Sequence, residues 1–130
     1  MLLIDTSVWV KLFRTNNDFK QTLIETINGR NYYLSRFTQT ELLQGARNEQ
    51  EWLQLNNYLS TQDYIEPSIS SWSHAARIYY ELRRQGITVR NTIDCLIAAS
   101  AIEYDLLLLH NDRDFEAIAS GTSLNEIRVS

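Results

Sequence analysis

Cysteine is almost missing from this chain. Cys95 stands alone, which excludes an internal disulfide framework and suits a reducing compartment. Proline is equally scarce, with the single Pro67, and there are four glycines, too few for collagen-like or Pro/Gly-rich disordered chains. No apolar run approaches the ~18 residues that span a bilayer. No basic segment followed by an apolar stretch and a small-residue cleavage site marks a secretory leader. A soluble, cytoplasmic protein is expected. Lysine is confined to Lys11 and Lys20, and the net charge of −4 counts against nonspecific nucleic-acid binding through a basic surface. What remains is 130 residues of which 44% are hydrophobic, the size and composition of one domain with one core, residues 1–130.

The first nine residues carry the main organising signal. Leu2, Leu3 and Ile4 form an apolar run without alternation, as in a strand covered on both faces. It stops at Asp5, and Thr6-Ser7 offers a cap for a helix carrying Val8, Trp9, Leu12 and Phe13. In open parallel sheets ligands bind beyond the carboxyl ends of the strands, so Asp5 is a candidate site residue. The alternative is that it only assists the N-terminus of the helix.

Thr15 to Asp18 read as a turn and cap, and Phe19, Leu23, Ile24 and Ile27 recur at helical spacing before Asn28-Gly29. Tyr32–Ser35 suits a strand. Thr38 with Glu41 three residues later has the form of a capping box. Trp52, Leu55, Tyr58 and Leu59 make another helical stripe, and Tyr64 to Glu66 an extended piece closed by Pro67. Trp72, Ala75, Ala76, Tyr79 and Leu82 define the expected core face of the next helix, with His74 beside it as a surface or core-edge histidine lacking partners. Ile87 to Asn91 reads as a linker. Thr92 then caps an apolar, small-residue helix from Ile93 to Glu103, with Asp94 in its first turn and Cys95 in its core face. Leu106 to Leu109 is a second unbroken apolar run, ending at His110-Asn111-Asp112-Arg113-Asp114-Phe115. A short helix over Phe115, Ile118 and Ala119 and an edge strand within Leu124 to Val129 complete the chain. Strands alternating with helices predict an α/β fold, a mainly parallel central sheet flanked by helices.

Asp5 and Asp112 both follow expected central strands, and Asp94 and Glu41 sit near expected helix starts, which in such folds share the edge of the strand C-termini. Two carboxylates ~4 Å apart repel by about 4 kcal/mol at an effective dielectric near 20. A larger group persists only if some are protonated or a cation intervenes. Oxygen-only donors favour Mg²⁺ or Mn²⁺, and His74 and Cys95 do not have zinc-ligand spacing. No serine or cysteine nucleophile with a base is evident, which favours metal-activated water.

Leu3-Ile4-Asp5-Thr6-Ser7, Thr40-Glu41-Leu42-Leu43-Gln44-Gly45, Asp94-Cys95-Leu96-Ile97-Ala98-Ala99-Ser100-Ala101 and Leu108-Leu109-His110-Asn111-Asp112-Arg113-Asp114-Phe115, in this order, resemble the PIN-domain family, and within it the VapC-like toxins of toxin–antitoxin pairs. The resemblance implies a Mg²⁺- or Mn²⁺-dependent endoribonuclease. It implies Asp5 and Asp94 as main metal ligands, with Glu41 and Asp112 orienting water or holding a second ion. Thr6 would hydrogen-bond within the site. Asp114 competes for the fourth acidic place; Asp112 ranks first because it lies nearer the strand end. An antitoxin protein that blocks the site and a homodimer are further implied partners.

RNA reaching an acidic pocket needs basic residues at its rim. Arg90 and Arg113, each near a site acid, are the expected contacts. Lys11, Arg14, Arg83 and Arg84 are read as complements to helix C-termini. A non-catalytic RNA- or protein-binding module on the same scaffold is the alternative, and the complete set of acids argues against it. A phosphoacceptor receiver domain would need a late lysine, which the chain lacks.

Overall fold

A computed structural model describes residues 1–14 and 17–130. Five strands form one parallel sheet: β1 (Leu2–Ile4), β2 (Tyr32–Ser35), β3 (Tyr64–Ile65), β4 (Leu107–His110) and β5 (Glu126–Arg128), in the order β3-β2-β1-β4-β5. Seven helices connect them among the described residues: α1 (Thr6–Arg14), α2 (Asn17–Ile27), α3 (Arg36–Gln44), α4 (Glu49–Ser60), α5 (Ile69–Arg84), α6 (Thr92–Glu103) and α7 (Arg113–Ser120). None of these helices is long and apolar enough to cross a membrane.

The unalternating apolar runs have their expected cause. β1 lies between β2 and β4, with Leu3 paired to Tyr33 on one side and Leu108 on the other. Helices cover both faces of it. Leu3 and Leu108 join Ala75, Ile78, Leu82, Ala98 and Phe115 in the core under α5, α6 and α7, while Leu2, Ile4 and Leu109 join Val8, Trp9, Phe19, Leu42 and Leu59 under α1 to α4. The small residues of α6 let it lie close to the sheet: Cys95, Ala98 and Ala99 are fully buried.

Several expected boundaries and faces move. Of the expected turn and cap at Thr15 to Asp18, Thr15 and Asn16 lie outside the described residues, and α2 opens at Asn17. The capping box at Thr38 and Glu41 does not form. Ser35, at the end of β2, caps α3 by accepting from the Phe37 N–H at 3.0 Å, so Thr38 and Glu41 lie inside the helix. Thr92 is already helical, and Asn91 caps α6 through the Ile93 N–H at 2.8 Å. The buried stripe of α5 is Ser71, Ala75, Ile78 and Leu82. Trp72 is 57% exposed because the Ser71 hydroxyl turns inward, donating to Glu103 Oε1 at 2.7 Å. Ile24, Trp52 and Tyr58 also stay substantially exposed. Segment 87–91 is anchored by Val89, buried in the core beneath α5 and α6.

Candidate active site

At the carboxyl edge of the sheet a cleft of about 730 Å³ is lined by Asp5, Glu41, Asp94, Asp112 and Asp114, with Thr6, Ser7, Lys11, Arg14, Arg90, Asn91 and Asn111 among its walls. The adjacency of β1 and β4 creates it. The Asp5 N–H donates to the Leu109 carbonyl at 2.9 Å, extending the ladder one residue past β1. The chain after each strand therefore delivers its acid to the same place.

Asp5 does both things its position allows. Its Oδ2 accepts from the Ser7 N–H at 3.0 Å, where a helix cap would, with Thr6 already in α1. The same oxygen accepts from the Ser7 hydroxyl at 2.6 Å. Burial pushes the Asp5 carboxyl above the usual range, against the lowering effect of those bonds. Ser7 Oγ in turn accepts from the Asn111 N–H at 2.8 Å, tying the start of α1 to the segment after β4.

Glu41 arrives from the second turn of α3. Thr6 Oγ1 donates to Glu41 Oε1 at 2.9 Å and shares a hydrogen bond of 2.9 Å with Thr38 Oγ1. The buried Thr38 therefore serves the site and not the helix end. Asp94 stands in the first turn of α6. Burial first, then the charges of Asp5, Asp112, Asp114 and Glu41, push its carboxyl from 3.8 to about 7. Four other acids thus act on one group, the electrostatic sign of convergence. One carboxylate oxygen each of Asp94, Asp112 and Asp114 lie within 4.8 Å of one another.

Asp112 and Asp114 are both in the cleft. Asp112 caps α7, accepting from the Asp114 N–H at 3.0 Å, and Asp114 lies in the first turn of that helix. Arg90 bridges the pair: Nη2 meets Asp112 Oδ1 at 2.8 Å and Nε meets Asp114 Oδ2 at 2.9 Å. Its guanidinium is thus engaged with carboxylates. Arg113 is exposed at the start of α7 and is not among the residues lining the cleft.

Lys11 and Arg14 do line the cleft, although they also lie in the last turn of α1 as helix-end complements. Ser7, Lys11 and Arg14 stand at i, i+4 and i+7 on one face of α1, a spacing present in the sequence, and the structure turns that face to the cleft. Arg83 and Arg84 end α5 and lie over the rings of Tyr79 and Tyr80, away from the cleft lining. His74 is exposed and Cys95 buried, its thiol pushed up to about 11 chiefly by burial.

The donors converging here are oxygens, and the crowding of carboxylates fits a hard divalent cation. Asp94, Asp112 and Asp114 are close enough to share one, with Asp5 and Glu41 on the same cleft.

Comparison with known proteins agrees with this architecture. The chain is 33% identical to Ribonuclease VapC11 of Mycobacterium tuberculosis over 133 aligned residues, covering 95% of this chain and 96% of that protein. Its fold superposes on VapBC2 from Rickettsia felis bound to a promoter DNA fragment, with a TM-score of 0.79, 22% identity and full coverage of both chains. DNA-bound VapBC from Salmonella typhimurium matches with a TM-score of 0.78, 22% identity and the same coverage. The family model described as PIN domain matches residues 2–121, which contain every acid of the cleft, and the chain belongs to the PIN domain family.

Proposed function

We propose that this protein is a divalent-metal-dependent endoribonuclease, the toxin of a toxin–antitoxin pair. The observation that carries the reading is Asp94, whose carboxyl is held near 7 by burial and by four other acids around it. Such crowding is costly without a cation and useful with one. When bound, Mg²⁺ or Mn²⁺ supplies an activated water and neutralises charge developing on the phosphodiester.

The chain's own residues prepare that site. Asp5 and Asp94 are assigned as the main ligands, and Ser7 fixes Asp5 through two hydrogen bonds to Oδ2. Glu41, held by Thr6, and Asp112 orient water or complete the ligand set, with Asp114 as the neighbouring acid. Arg90 neutralises part of the Asp112–Asp114 charge and fixes both side chains. Lys11 and Arg14, on the cleft wall, are assigned to the phosphates of the RNA backbone. Ribonuclease activity is the named property of VapC11, and the solved neighbours named VapBC support an antitoxin partner. The assignment extends to a cytoplasmic, homodimeric protein with residues 1–130 acting as one unit.

The test is cleavage of RNA by the purified protein in Mg²⁺ or Mn²⁺. Cutting is expected with the metal and not in chelator. Asp94→Asn should lower the rate by at least ~100-fold while leaving the fold intact. An Asp94→Asn variant as active as the parent removes Asp94 from the chemistry.

A further inference from the structure

His110 ends β4 with its ring fully buried, 5.3 Å from the ring of Phe115. Both ring nitrogens are engaged. Nδ1 accepts from the Asp112 N–H at 3.1 Å. Because that partner can only donate, Nδ1 carries no proton, and the single ring proton sits on Nε2. There it donates to Glu126 Oε1, 2.7 Å away on β5. Glu126 therefore selects the tautomer that Asp112 requires. The rest of the junction is tied to the same strand end: the Val129 N–H donates to the His110 carbonyl at 2.8 Å, and Asn111 Nδ2 donates to the Val129 carbonyl at 2.7 Å.

We infer that His110 is a positioning residue for Asp112, and that Glu126 makes edge strand β5 part of the apparatus aiming this acid into the cleft. A side chain aimed through its own backbone needs that backbone fixed. Asp112 holds an extended conformation, with φ −143° and ψ 121°. The imidazole acceptor pins the amide on the strand side, while Asp112 Oδ1 takes the Asp114 N–H and Arg90 on the other. The alternative Nδ1–H tautomer would set two donors face to face and release the amide. Partners of this kind, one bond behind a ligand, are worth about 10–100-fold in metal affinity.

The inference rests on Asp112 taking part in a metal site, so its test has one arm that needs no metal. In the parent protein, nitrogen NMR of the His110 ring should show the Nε2–H tautomer, and the Asp112 amide should exchange slowly. An Nδ1–H tautomer, or Asp112 exchange as fast as in an exposed loop, overturns the inference. The second arm compares two uncharged variants by Mn²⁺ calorimetry with melting temperature as control. His110→Asn keeps an acceptor where Nδ1 was and should bind within about threefold of the parent, whereas His110→Gln keeps the donor toward Glu126 but loses that acceptor and should bind about tenfold more weakly. Equal affinities for the two folded variants overturn the inference. If neither variant folds, the parent's tautomer and amide exchange decide. A parent that binds no Mn²⁺ contradicts the functional reading instead, and the positioning role is then judged on the NMR arm alone.

Discussion

Short polar side chains do much of the aiming at this site. Ser7 is the clearest case, since one hydroxyl donates to Asp5 at 2.6 Å and accepts the Asn111 N–H at 2.8 Å. Ser7→Ala leaves that amide without its partner and removes one of the hydrogen bonds on Asp5 Oδ2, the one from the residue 7 N–H remaining. The expected cost is about 1–3 kcal/mol of stability, read as a lower melting temperature, together with weaker Mn²⁺ binding. A variant with parent-like melting and binding would show that Ser7 is a bystander. Thr6 and Thr38 form the equivalent support for Glu41. The residues by themselves marked both as helix starts, because Ser, Thr and Asp before an apolar periodic segment often serve as caps; only the family resemblance pointed to Thr6 as a site residue, and nothing pointed to Thr38. Asp5 accepts the Ser7 N–H as a cap would while it lines the cleft.

At the scale of elements, the closeness of α6 to the sheet brings Asp94 into the group. Ala98 is fully buried in the core that contains Leu3 and Leu108. Ala98→Leu should overpack this layer, destabilising the protein by about 1–3 kcal/mol in denaturant titration. Retained stability would mean that α6 has room to move and that its small residues do not set its distance. The strands β1 and β4 were legible in the sequence, because strands covered on both faces carry unbroken apolar runs. The starts of helices were less so. Thr38 and Glu41 carry the letters of a capping box, but Ser35 reaches the helix first. On α5 the aromatic Trp72 looked like core, yet the inward turn of Ser71 toward Glu103 displaces it. A local bond from the Phe37 N–H to Ser35 decided the first case and the long-range Ser71–Glu103 bond the second, and periodicity contains neither. The acids of the cleft were legible because topology alone brings strand ends and helix starts to one edge. That Arg90 bridges two of them, and that Lys11 and Arg14 face the cleft, followed only from the geometry.

The molecule as a whole inherits an electrostatic liability from this arrangement. Asp94 titrates at 3.8 when free and at about 7 in the fold, so the folded state binds its proton more tightly than the unfolded chain. Its stabilising contribution is complete below about pH 4 and is lost as pH rises through about 7. Asp5 is shifted in the same direction and adds with the same sign. In chelator, the melting temperature should therefore be lower at about pH 8 than at about pH 5, and Asp94→Asn should flatten the difference. Mg²⁺ should restore stability at the higher pH by mass action, since only the folded state presents the converged acids. A metal-free protein equally stable at both pH values would show that the carboxylates do not interact as described. The most direct test of the central claim is a calorimetric titration of the intact protein with Mn²⁺ at about pH 8, where Asp94 is ionised. Saturable binding is predicted, weakened at least about tenfold by Asp94→Asn; no binding at millimolar Mn²⁺, or equal binding by the variant, would contradict it.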